Sequence, residues 1–222
     1  LIDGRRDMKL DKISAAMPMV YTVVGYSLNI SLLVYRCFKL GNPIDIILFL
    51  IMCIIYLAWS VWEIRISLRE LKLEASTNDK STLEIAGIIK NIMIFAGLLS
   101  LDNINLIIWT IGIVLIIGGI YIRVSAIKLV GESYSHRIRE IVGTPIMTGP
   151  YKIIRHPSYL GTLIIHTGLV LILFNYISLI ALILWYANAV YRVISEEVVL
   201  LRNIYYKDYI KKTKYRLFPL IW

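Results

Sequence analysis

Long apolar runs separated by short polar breaks set the pattern of this chain. Six runs approach or reach the roughly 20 residues that a helix needs to cross a hydrocarbon core of about 30 Å. They cover 15–38, 44–64, 83–100, 104–124, 158–174 and 177–194. The breaks are a charged stretch over 65–82, a turn at Asp102-Asn103, a long polar connection over 125–157, and Asn175-Tyr176. Beyond residue 194 the chain becomes an amphipathic tail rich in Lys and Tyr. The pattern predicts an all-α integral membrane protein of about six transmembrane helices, the last two forming a tight hairpin.

Composition supports this reading. Hydrophobic residues make up 58% of the 222 residues and charged residues 18%, with a mean hydropathy of +0.72. A soluble domain is about 45–50% apolar, so a soluble globule and a disordered chain are both excluded. Two cysteines, Cys37 and Cys53, are too few for a disulfide scaffold. The first apolar run is too long for the core of a secretory leader, so none is expected.

The net charge of +9 is read against topology. An even number of spans puts both termini on one side. That side collects 21 of the Lys and Arg residues, the other only Arg36 and Lys39, and Lys90 lies inside a span. Basic loops stay in the cytoplasm, so both termini are expected there, in the endoplasmic reticulum of a eukaryote or the cell membrane of a prokaryote. The bilayer is then the partner that the basic charge meets, and no nucleic acid is needed.

The dense polar clusters fall late in the chain. Residues 1–124 read as anchoring helices and 125–222 as the region that carries chemistry. The most informative stretch runs from Gly149-Pro150-Tyr151 to Arg155-His156-Pro157-Ser158-Tyr159-Leu160-Gly161. Pro157 suits the first position of a helix, which puts His156 at its N-cap, where free backbone N–H groups attract anions. A second cluster, Arg192, Glu196 and Glu197, ends the sixth span. Arg192 and Glu196 share a helix face, and carboxylates at a membrane boundary are costly unless paired or functional. A tight hairpin returns both clusters to the same membrane face. Taken singly, the first reads as a basic flank with an interfacial Tyr and the second as an ordinary ion pair; their meeting points to a site.

Gly-Pro-Tyr, then Arg-His-Pro-Ser-Tyr-Leu-Gly, then Arg-x-x-x-Glu-Glu-x-x-Leu, then a Tyr- and Lys-rich tail with Arg-x-x-Pro, resemble the isoprenylcysteine carboxyl methyltransferases. More broadly they resemble the membrane methyltransferase superfamily that includes phospholipid methyltransferases. The resemblance covers about residues 140–219. It implies S-adenosylmethionine as methyl donor, bound at the cytosolic face. It implies cofactor-binding roles for Tyr151, for His156, Pro157, Ser158 and Tyr159, and for Glu196, with Gly143, Thr144, Pro145 and Ile146 as a loop lining the cofactor. Arg192 matches the Arg that engages the substrate carboxylate. The chain departs from the family where a His usual at the start of that loop is Gly143, and where Lys212 stands in place of a second tail Tyr.

The chemistry fits these residue types. Glu196 can pair with the ammonium of the donor. A carboxylate held by Arg192 attacks a methyl group without a protein nucleophile, so positioning and desolvation carry the catalysis. An amine acceptor would need a general base, with Glu197 or His156 as candidates. The expected acceptor is the carboxylate of a prenylated cysteine or a similar lipid-embedded isoprenoid. A phospholipid N-methyltransferase and an NADPH-dependent sterol-type reductase are the alternatives. His136 is a possible accessory residue in the polar connection. His166 reads as packed within its span, and Lys90 and Asn91 as facing the bundle interior, with Glu63 or Glu84 as partners. Gly112, Gly118 and Gly119 read as positions of close helix packing. The three His and two Cys show no metal-ligand spacing.

Overall fold

The computed structural model describes residues 24–25, 27–70, 81–101, 104–141 and 143–222. The described residues are helical, with one isolated bridge and no strand. Helix α1 is described over 27–39. It is followed by α2 (Pro43–Glu70), α3 (Thr82–Leu99), α4 (Leu106–Val130), α5 (Pro157–Ile172), α6 (Tyr176–Leu200) and α7 (Ile204–Lys212). The Asp102-Asn103 turn, the basic residues before residue 24, and Lys72 and Lys80 lie outside the described residues.

Local sequence sets the helix starts. Asn105 accepts from the backbone N–H groups of Ile107 and Ile108. Asn175 and Ser178 form a reciprocal capping box at the start of α6. Asn203 accepts from Tyr205 and Tyr206 at the start of α7. Pro157 opens α5, with His156 as N-cap.

Among the described residues, four stretches are long and apolar enough to cross a membrane: Pro43–Arg69, Thr82–Leu99, Leu106–Ser133 and Tyr176–Leu200. Their outer faces carry large exposed apolar side chains such as Ile54, Ile107, Val114 and Ile183, as a lipid-facing surface requires. α5 is shorter, 16 residues, or about 24 Å at 1.5 Å per residue.

Helix packing departs from the expected hairpin in one respect. α5 and α6 are joined by a short break, but α5 packs chiefly on α4, and α6 on α3. Glycines explain the α4–α5 contact. A Cβ on Gly119 would stand 2.6 Å from the Gly161 carbonyl oxygen, and one on Gly112 would stand 2.7 Å from that of Gly168. The backbones approach this closely because neither side has a side chain there. Gly118 takes no part, since a Cβ there would meet nothing within 4 Å.

α4 also outlasts its apolar run. It continues to Val130, and Arg123, at the end of that run, is a residue of the bundle. Its guanidinium is buried and bound in two places by the Glu63 carboxylate, through Nε and through Nη2 at 2.8 Å. A paired arginine can stay inside the bundle, whereas an isolated one could not.

Candidate active site

The polar connection and the tail close over one end of the bundle. Ile154 forms a parallel bridge with Tyr215. The backbone N–H of Arg155 donates to Tyr215 O at 2.9 Å, and that of His156 to Arg216 O at 2.9 Å. Glu197 fastens this junction. It accepts from Arg155 Nε at 2.6 Å and Arg216 Nε at 2.6 Å, and it meets His156 Nε2 at 3.2 Å. Glu197 lines neither of the cavities described below. Its carboxylate is committed to three cationic or ring N–H partners that clamp the tail.

α7 secures the connection from the other side. Tyr209 donates through its hydroxyl to Tyr151 O at 2.7 Å. Asn203 Nδ2 donates to the carbonyls of Ile141 and Gly143, both at 2.9 Å. These contacts shape a cavity of about 410 Å³ among the connection, the start of α5 and the end of α6. We call it the loop cavity. Thr144, Pro145, Ile146, Tyr151, His156, Ser158 and Glu196 line it, so seven of the expected cofactor residues come together there. Tyr134, Arg137, Arg139, Glu140, Tyr206 and Tyr209 also line it and were not expected from sequence. The Tyr spacing in the amphipathic tail was the one available signal.

Burial pushes the Tyr209 hydroxyl up to about 12 and raises those of Tyr134, Tyr151 and Tyr206. All four are therefore neutral O–H groups at physiological pH. Tyr206 is 3% exposed and its hydroxyl has no hydrogen-bond partner among the described residues. A buried, unpartnered hydroxyl on a cavity wall is costly unless a ligand meets it.

A second cavity of about 140 Å³ lies between α2, α3, α4, α5 and α6. Tyr159, Arg192 and His136 line this bundle cavity, with Trp59, Glu63, Lys90, Arg123 and Trp185. Arg192 is 3% exposed and donates to Thr82 Oγ1 at 2.6 Å and to His136 O at 2.5 Å. The two cavities share Tyr134, Ser135, Ser158 and Glu196 as a common wall.

Several expected positions differ. Tyr159 lines the bundle cavity and not the loop cavity. His136 does not reach the loop cavity; it stands 3.4 Å from Glu63. Gly143 is exposed at φ +84° and lines neither cavity, its carbonyl being taken by Asn203. Pro157 starts α5 and lines neither. Lys90 does face the interior, and Asn91 accepts from Asn29 at 3.2 Å. His166 is fully buried, with Nδ1 2.8 Å from Thr162 O and rings of Tyr56, Trp59 and Trp185 around it.

Comparison with known proteins covers the same part of the chain. Residues 110–202 match the model of the isoprenylcysteine carboxyl methyltransferase family. A stretch of 90 residues is 39% identical to protein-S-isoprenylcysteine O-methyltransferase B of Arabidopsis thaliana, covering 39% of this chain and 44% of that protein. A stretch of 80 residues is 39% identical to a probable protein-S-isoprenylcysteine O-methyltransferase of Oryza sativa subsp. indica, covering 34% of this chain and 42% of that one. The similarity thus spans less than half the length of these relatives. No solved structure matches. The segment from 110 to 202, which supplies α5, α6 and the whole wall shared by the two cavities, is thus similar to the isoprenylcysteine carboxyl methyltransferase family.

Proposed function

We propose that this protein transfers a methyl group from S-adenosylmethionine to the carboxylate of a lipid-embedded acceptor, a prenylated cysteine or a similar isoprenoid. The observation that carries the reading is the shared wall: one carboxylate, Glu196, stands between a loop cavity and a cavity inside the bundle.

The loop cavity is of the size that small-molecule sites occupy, roughly 300–1,000 Å³, and its chemistry suits the donor. Glu196 offers a carboxylate to the donor ammonium. Ser158 and the neutral Tyr206 hydroxyl offer hydrogen bonds, and Ile146 and Leu200 offer apolar surface. The donor supplies an electrophilic methyl on a sulfonium; the C–O bond to the acceptor forms as the C–S bond breaks, and the electron pair returns to sulfur. A carboxylate acceptor carries no proton to remove, so no general base is required. Arg192 holds the acceptor, and burial around it strengthens that attraction.

An amine acceptor is disfavoured by the lining of the bundle cavity. Lys90, Arg123 and Arg192 all line the bundle cavity and would repel an ammonium. The charge asymmetry favours a cytoplasmic loop cavity and an acceptor arriving from the bilayer. Calorimetric titration of the solubilised protein tests the donor assignment: S-adenosylmethionine should bind and NADPH should not. Binding of NADPH alone would move the protein to the reductase reading.

A further inference from the structure

Lys90 is a cation inside the bundle cavity that the chemistry above leaves unused. It lies on α3, outside the segment that matches the family. Its ammonium stands 5.4 Å from the centroid of the Trp185 ring. Glu63, which lines the same cavity, is already engaged: it accepts from Arg123 twice and from Trp59 Nε1 at 3.0 Å. Trp185 is 6% exposed, and its indole N–H has no acceptor among the described residues. Both residues line the cavity that also holds Arg192.

The charges on this wall do not balance. Lys90, Arg123 and Arg192 face Glu63 and Glu196, which leaves one positive charge in excess. An ammonium within a bundle and an unsatisfied buried indole N–H are each unfavourable. One bound monoanion corrects both.

We propose that Lys90 and the indole N–H of Trp185 complete, with Arg192, the seat of the acceptor carboxylate. This rests on the methyltransferase reading and adds the groups that set acid specificity. Methylation turns the carboxylate into a neutral ester. The attraction that admits the acid is then lost, and the ester leaves a cavity whose wall favours an anion. Lys90 is a specificity-determining residue in this scheme and takes no proton.

The test uses the full chain in detergent and two probes, N-acetyl-S-farnesylcysteine and its carboxamide, titrated by calorimetry. The wild type should bind the acid at least tenfold tighter than the carboxamide. Lys90→Met should bring that ratio close to one, with carboxamide and S-adenosylmethionine affinities unchanged. Lys90→Arg should keep most of the ratio. Trp185→Phe, which keeps the aromatic face but removes the N–H, should reduce it several-fold. Equal loss of acid and carboxamide binding in Lys90→Met would assign Lys90 a merely structural role and overturn the proposal. So would a wild-type ratio near one, which leaves methyl transfer itself standing. A wild type that binds neither probe would overturn the prenylcysteine reading and this proposal with it.

Discussion

Arg192 and Glu196 lie four residues apart on α6, yet they serve different spaces: Arg192 lines only the bundle cavity, while Glu196 lies in the wall between the bundle cavity and the loop cavity. Four residues of helix separate them by about 6 Å. That offset gives one helix a carboxylate common to both cavities and a guanidinium confined to one of them.

Replacing Glu196 by Gln should weaken S-adenosylmethionine binding. An ammonium–carboxylate hydrogen bond contributes about 1.5–3 kcal/mol, so the dissociation constant should rise about ten- to hundredfold. Calorimetry on the folded variant reads this directly, and an unchanged constant would remove Glu196 from the donor site.

Arg192→Ala should sharply lower methyl transfer while donor affinity stays nearly intact. Arg192→Lys should recover little, because Thr82 Oγ1 and His136 O are met by two different nitrogens of one planar guanidinium. Turnover and donor titration on the same preparations separate the outcomes. Loss of donor binding in step with turnover would place Arg192 in the donor site instead.

Glu63→Ala should destabilise the bundle by about 3–5 kcal/mol, since it strands the buried Arg123 guanidinium. Replacing both residues with apolar ones of similar volume should recover much of that loss. Thermal unfolding in detergent would show it; a double variant no more stable than Glu63→Ala would mean that the pair acts through more than its charge.

The glycines of α4 offer a paired control. Gly119→Ala should lower the melting temperature, because its Cβ would press on the Gly161 carbonyl oxygen and on Ile165; such overpacking costs about 1–3 kcal/mol. Gly118→Ala, one residue away, meets nothing within 4 Å and should leave the melting temperature unchanged or slightly raised. Equal behaviour of the two variants would contradict the close α4–α5 approach.

Hydrophobic runs made the helices legible in the sequence, and the family resemblance pointed to most of the loop-cavity residues. Thr144, Tyr151, His156 and Ser158 were grouped by that resemblance, and the polar connection with the start of α5 carries them all. Other features depended on distant pairing. Arg123 closes an apolar run with no partner nearby in sequence, and Glu63, 60 positions away, explains why α4 carries it inside. Glu196 and Glu197 look alike as neighbours. Successive helix positions turn by about 100°, so one reaches the cavities and the other the clamp of Arg155 and Arg216. Tyr206 and Tyr209 were visible only as tail aromatics, because the fold-back of α7 onto Tyr151 leaves no periodic trace.

Carboxyl methylation of a lipid-borne acid is met most directly by one measurement. Solubilised protein is incubated with N-acetyl-S-farnesylcysteine and S-adenosylmethionine carrying a tritiated methyl group, and the lipid-extractable product is treated with alkali. The account predicts label in the lipid fraction that is released by alkali as volatile methanol, as a methyl ester must be. Label that stays in the lipid fraction after alkali, or that enters phosphatidylethanolamine and not the prenylated acid, would contradict it.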